Sequence, residues 1–140
     1  MICGILGVAA ALLGGYHGVG EVLQGETVPR GIFINAWGGP ACRIEAGQNC
    51  APAITMLPTT FVRIGVVTIV TSAATLASTL LILMGRSRGA PLFASSVLLL
   101  LVGGGGIAPI LGLAGAAVGR SARSGKVGGD IHRGVVEPPV

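Results

Sequence analysis

The chain has 140 residues, of which 51% are hydrophobic and only 10% are charged, and its mean hydropathy is +0.84. A soluble domain carries about a quarter charged residues, so this composition indicates a protein whose solvent is lipid. The net charge of +4 does not indicate nucleic-acid binding, because aromatic residues make up 4% and no predicted helix carries a basic reading face. Basic flanks of membrane spans account for the charge.

Three segments contain no Lys, Arg, Asp or Glu, namely residues 1–20, 64–85 and 89–119. Each is long enough for the roughly 20 residues that cross a hydrocarbon core. We therefore predict an all-α, multi-pass protein of the cell membrane with a single transmembrane domain, 1–119, and a basic tail, 120–140, predicted to be flexible. The predicted spans are 2–20, 61–84 and 92–119, and the loop between the first two is 21–60.

The first span lacks the basic start of a signal peptide, so we expect a retained helix, with cleavage as the alternative. Its Gly14 and Gly18 have the G-x-x-x-G spacing that lets another helix approach closely. The partner helix could belong to this chain or to a second copy. Because three spans bury little surface on their own, some association with other membrane helices is expected.

Polar groups cluster at the end of this span, where His17, Glu21 and Gln24 are spaced to share one helix face. One interpretation is a solvated polar collar at the membrane boundary. The other is a proton- or ion-responsive pair of His17 and Glu21 inside the bundle. A haem or metal ligand has weaker support, because one histidine is a poor ligand set.

The loop 21–60 contains Cys42 and Cys50, which flank a short ring of seven residues. This spacing is not that of a C-x-x-C redox or zinc motif, so it indicates a disulfide, with two free thiols as the alternative. A disulfide requires an oxidising compartment, which places the loop outside the cytoplasm and the tail inside. Counts of Arg and Lys alone do not decide the orientation.

The second span begins after Pro58, where Thr59 and Thr60 can cap a helix. Seven small hydroxyl residues mark it: Thr60, Thr68, Thr71, Ser72, Thr75, Ser78 and Thr79. Such side chains permit close helix approach and interhelical hydrogen bonds. The alternative is that each hydroxyl bonds a carbonyl of its own helix.

The third apolar segment is interrupted by the four glycines of 103–106, and each half is about 17 Å long at 1.5 Å per residue. Four glycines forfeit roughly 3–4 kcal/mol of helix propensity, and Pro109 suits the first turn of a new helix. We predict a broken or re-entrant helix, with one kinked span, and hence three full spans, as the alternative. A helix start near Gly104, Gly105 and Gly106 could bind an anion or ion.

The segments "GGYHGVGEVLQGE", "CAPAITMLP" and "LLLLVGGGGIAPILGLAGAAVGR" together resemble a group of small prokaryotic integral membrane proteins without an established activity. The resemblance covers most of the chain before the tail. It implies a multi-span membrane topology and adds no activity.

Three classes of function are compatible with the sequence. We expect most a non-enzymatic accessory or scaffold protein that packs against other membrane helices, in this or a partner chain. The alternative is a small oligomeric channel or transport protein that uses the broken helix at Gly103–Pro109. Catalysis has the least support, since the sequence lacks the common nucleophile, metal and phosphate motifs. We expect no cofactor and no metal site.

Overall fold

The computed structural model describes residues 1–29, 31–37, 52–87 and 89–131, with side chains as far as Ser121. The elements in chain order are α1 (Ile2–Leu23), β1 (Phe33–Asn35), β2 (Pro52–Ile54), α2 (Phe61–Leu83), α3 (Ala90–Val102) and α4 (Ile107–Ile131). The chain is mostly helical, and α1 and α2 are each long and apolar enough to cross a membrane. Cys42 and Cys50 lie outside the described residues, so their disulfide stays a prediction. Cys3 is a buried free thiol.

Helices α1 and α2 pack antiparallel along a seam of small residues. Gly14 of α1 lies against the Ser72 hydroxyl, and Gly18 lies against Ile69 and the backbone of Gly65. A Cβ atom added at Gly18 would be 2.8 Å from Ile69 Cγ1 and 2.9 Å from the Gly65 carbonyl oxygen. The glycine spacing of α1 therefore allows close approach to a helix of the same chain.

Most hydroxyls on the buried face of α2 bond within their own helix. Thr71, Ser72, Thr75 and Thr79 each donate to the carbonyl four residues earlier, at 2.8–2.9 Å. Thr68 is different, because its hydroxyl donates across to the carbonyl of Val102 at 3.2 Å. The seam is thus a region where small polar side chains are buried and satisfied.

The third apolar segment forms two helices, α3 and α4, which fold back on each other as a helical hairpin. Gly112 of α4 packs on Ser96 of α3, and the Arg120 guanidinium lies 5.0 Å from the ring centroid of Phe93. The four residues 103–106 form the turn, which we call the hairpin tip. With 13 residues, α3 is about 20 Å long. Helix α4 continues to Ile131 and so includes the first part of the predicted tail.

The loop between α1 and α2 contains a short antiparallel β-hairpin that the all-α prediction did not include. Its register pairs Phe33 with Ile54 and Asn35 with Pro52. Its buried side chains, together with the start of α2, form a small core over the end of α1. This core consists of Ile34, Ala36, Ala53, Phe61 and Ile64. Two three-residue strands are too short to produce a clear alternating pattern in the sequence.

Candidate functional site

Glu21 is fully buried near the carboxyl end of α1, with 0% of its surface exposed. Neither carboxyl oxygen has a hydrogen-bond partner among the described residues. The Thr68 hydroxyl lies beside the carboxyl group, but its single proton is donated to the Val102 carbonyl. Buried polar groups in proteins are nearly always paired. Among the described residues, Gln24 Oε1 and Thr60 Oγ1 are also buried without a partner, but Glu21 is the ionisable group and has neither of its oxygens paired.

The hairpin tip packs directly on this carboxyl group. A Cβ atom added at Gly103 would lie 2.5 Å from Glu21 Oε1 and 2.9 Å from Ile64 Cγ2. Gly103 also has a φ of +124°, a backbone conformation that other residues rarely adopt. Both the shape and the backbone of the tip therefore require glycine where it meets Glu21.

His17 lies one helical turn before Glu21 and contacts a different part of the same tip. Its Nδ1 atom is 2.9 Å from the Leu13 carbonyl oxygen, and because a carbonyl only accepts, Nδ1 carries a proton. Its Nε2 atom faces Gly105, where an added Cβ would be 2.6 Å away. No hydrogen bond or ion pair joins His17 to Glu21 in the described part of the chain. The two side chains instead contact two glycines of one turn.

Gln24 has a structural task at this end of α1. Its side-chain nitrogen donates to the carbonyls of Asn35 and Ala36, at 2.6 and 2.7 Å. Nearby, Trp37 stacks on Tyr16 with ring centroids 4.7 Å apart and donates from Nε1 to the Tyr16 carbonyl. Gln24, the third residue of the predicted polar face, thus holds the β-hairpin over the end of α1 that carries Glu21.

Residues after β2 hold the carboxyl end of α3 in place. The Met56 amide donates to the Leu101 carbonyl at 2.9 Å, and the Thr55 hydroxyl donates to the Val102 carbonyl at 3.4 Å. Carbonyl oxygens at a helix end carry partial negative charge. The Val102 oxygen, the Thr68 hydroxyl and the Glu21 carboxyl group therefore form an oxygen-rich corner of the bundle.

The predicted anion site at the start of α4 is divided between buried and exposed groups. Gly104 packs on Leu99, whereas Gly106 has no atom within 4 Å of an added Cβ and is exposed. Pro109 is fully buried in the first turn. The His17 ring fills the space beside Gly105.

A cleft of about 440 Å³ opens beside the tip. Its lining residues come from α1, the β-hairpin and the start of α4: His17, Phe33, Pro52, Ala53, Ile54, Gly106 and Ile107. Within the described ranges, His17 is the one polar side chain that lines this cleft, and the other lining residues are apolar. Across the residues that the structure describes, no group of three His, Cys, Asp or Glu side chains could hold a metal ion.

The fold thus brings together two parts of the chain that are far apart in sequence, the polar end of α1 and the glycine run 103–106. It adds Gly103 and Thr68 as direct neighbours of Glu21. Thr68 differed in no way from the other hydroxyls of α2 in the sequence, so no signal distinguished it. Family models, curated proteins and solved structures gave no match to the chain, and the resemblance to small membrane proteins stays a prediction.

Proposed function

We propose that the chain is a small integral membrane protein of the transport class, which binds a small cation at Glu21 beside the hairpin tip. In this proposal α1 and α2 cross the bilayer, while α3 and α4 enter and leave from one side. The shared chemistry of the ligand is a positive charge that a carboxylate can accept, either an alkali ion or a proton. The observation that carries the proposal is the fully buried Glu21 carboxyl group without a partner.

Burying a charge inside the helical bundle has a high energetic cost. An isolated carboxylate transferred out of water costs several kcal/mol even after relaxation of the protein. Glu21 has no cationic or N–H partner among the described residues to offset that cost. A bound cation or proton neutralises the group. An ionisable side chain of this kind inside a membrane domain is by default a candidate for function.

The surroundings of the carboxyl group favour a cation over an anion. Its polar neighbour, the Thr68 hydroxyl, donates its proton to the Val102 carbonyl and so presents an oxygen with free lone pairs to the site. Oxygen is the ligand that alkali cations require. Interrupted helices in transporters use their carbonyl-bearing ends for the same purpose. The break at 103–106 supports a comparable use here.

An accessory or scaffold function, the first expectation from the sequence, would pack glycine seams against other membrane helices, in this or a partner chain. Gly14 and Gly18 lie against Ser72, Ile69 and Gly65 of the same chain, so this seam does not favour a partner protein. No other feature of the described residues favours a particular partner protein.

The proposal is tested by reconstituting the protein in phosphatidylcholine vesicles and measuring the flux of Na⁺, K⁺ and protons separately. We expect Glu21→Gln to reduce the transported flux by about tenfold or more, since losing one strong site contact costs at least ~1.4 kcal/mol. Glu21→Asp keeps the charge and should retain part of the flux. A flux of protons alone, or of an alkali ion alone, identifies the cation.

The matched control is Glu26→Gln, the same chemical change five residues later at an exposed position. This variant should transport as the wild type does. Vesicles containing wild-type protein that are no more permeable than empty vesicles, or a fully active Glu21→Gln, would contradict the proposal.

A further inference from the structure

We propose that His17 is the gate between the surface cleft and Glu21, so that the cleft is the entrance through which water and the cation approach. This inference rests on the proposed cation site and identifies its approach path. The imidazole ring acts here by position, covering the glycine turn. It is not a ligand of the bound cation.

The first support is the contrast in solvent access along one helix face. His17 is partly exposed and lines the cleft, whereas Glu21, one turn further along α1, has no exposed surface. Residues four apart on a helix lie on the same side. The imidazole ring therefore lines the cleft on the side of α1 that also carries the carboxyl group.

The second support is that both side chains rest on the same turn. The His17 ring covers Gly105, and the Glu21 carboxyl group meets Gly103, two residues earlier. Glycines present no side chain between the two contacts. Moving the ring away from Gly105 would uncover the glycine turn whose other end packs on Glu21.

The third support is the way in which the ring is held. One hydrogen bond, from Nδ1 to the Leu13 carbonyl, fixes its orientation, and Nε2 has no partner within the described ranges. A single hydrogen bond to the preceding turn is a weak restraint on a side chain. A ring held this lightly can leave its position without unfolding the helix.

The Gly106 side of the cleft remains open whatever the ring does. Gly106 is exposed and has free space around it. The cleft is thus open at Gly106 and closed at Gly105, where the His17 ring packs on the turn.

The experiment measures how fast a positively charged thiol reagent reaches position 21. Glu21→Cys protein in phosphatidylcholine nanodiscs is treated with a trimethylammonium methanethiosulfonate, and modification is quantified by mass spectrometry of the peptide that contains residue 21. All variants also carry Cys3→Ser, because the tryptic peptide that contains residue 21 begins at residue 1 and ends at Arg30, and so includes Cys3. The same reaction is run on the double variant with His17→Ala.

We expect modification of Cys at position 21 to be about tenfold faster when His17 is replaced by Ala, which corresponds to ~1.4 kcal/mol in the opening equilibrium. Ser96→Cys is the matched control, because Ser96 is equally buried but packs on Gly112, away from the cleft. Its modification should not change with His17→Ala. Equal acceleration at both positions would mean general loosening and would overturn the gate.

A second variant separates the gate from the fold. His17→Phe keeps an aromatic ring of similar shape but loses the bond to Leu13. Modification at position 21 should then be faster than in the single variant, but slower than with His17→Ala. A rate at position 21 that is indifferent to residue 17 would contradict the inference. Because modification is measured without any flux, this result is independent of whether the vesicles transport a cation.

Discussion

The α1–α2 seam and the hairpin tip both bury polar groups, but they treat them differently. In the seam, Thr71, Ser72, Thr75 and Thr79 donate to carbonyls of their own helix. At the tip, the Glu21 carboxyl group has no partner among the described residues. Burial without a partner costs more than any single satisfied hydroxyl contributes. The seam is therefore a packing surface, whereas the tip carries the unpaired group that a binding site requires.

Glycine also has different uses in the two regions. Gly18 in the seam is needed for space alone, since it is an ordinary helical residue. Gly103 at the tip is needed for space and for its positive φ. A substitution in the seam thus tests packing, whereas one at the tip tests packing and backbone conformation together.

The largest effect is expected for Gly103→Ala. The added methyl group would lie 2.5 Å from Glu21 Oε1, and overpacking costs about 1–3 kcal/mol while the unfavourable φ adds roughly 1–2 kcal/mol. We expect the free energy of unfolding in detergent micelles to fall by about 3 kcal/mol. Gly106→Ala, in the same turn but in open space, should change it by less than about 0.5 kcal/mol. Similar losses in both variants would show that the turn itself, and not its contact with Glu21, is sensitive.

A smaller effect of opposite sign is expected for Glu21→Met. Replacing an unpaired buried polar group by an apolar side chain of similar length removes its desolvation cost. We expect the free energy of unfolding without added cation to rise by about 2 kcal/mol, while the cation flux is lost. Chemical denaturation of wild type and variant measures the first quantity. A marked loss of stability would mean that the carboxyl group has a partner in the folded protein and would remove the contrast with the seam.

The smallest effect distinguishes two hydroxyls of the same helix. Thr68→Val removes a bond that joins α2 to the end of α3 at Val102, and we expect a loss of about 1 kcal/mol. Thr75→Val removes only a bond within α2, to a carbonyl that the helix already uses, and should cost no more than about 0.5 kcal/mol. Equal values from thermal unfolding would indicate that the bond between helices contributes nothing beyond local packing.

Much of the architecture follows from patterns with a direct physical cause. Charge-free runs identify the long apolar helices, because charged groups are excluded from an apolar core. The run 103–106 divides the third segment, because four glycines cannot sustain a helix. These features are local and need no knowledge of tertiary contacts.

The arrangement of the site could not be predicted, because it depends on contacts between residues that are far apart in the sequence. The spacing of His17 and Glu21 places them on one face, but it does not reveal that the face meets the glycine turn some 80 residues later. Nor does it reveal the burial of Glu21, because the cover over that helix end is a β-hairpin of two three-residue strands. Gln24 belongs to the same polar face, yet its amide donates hydrogen bonds to the β-hairpin and not to the site.

The bonds from Met56 and Thr55 to the end of α3 have a consequence for the order of assembly. These donors precede α2, whereas their acceptors, Leu101 and Val102, are synthesised more than 40 residues later. During synthesis, α1, the β-hairpin and α2 are therefore complete before α3 and α4, which pack against them. The contact of Gly103 with the Glu21 carboxyl group can form only after this second part of the chain has been synthesised. Complete enclosure of the carboxyl group is thus a late event in biogenesis. A cut between α2 and α3 would separate the part of the chain that carries Glu21 from the part that covers it.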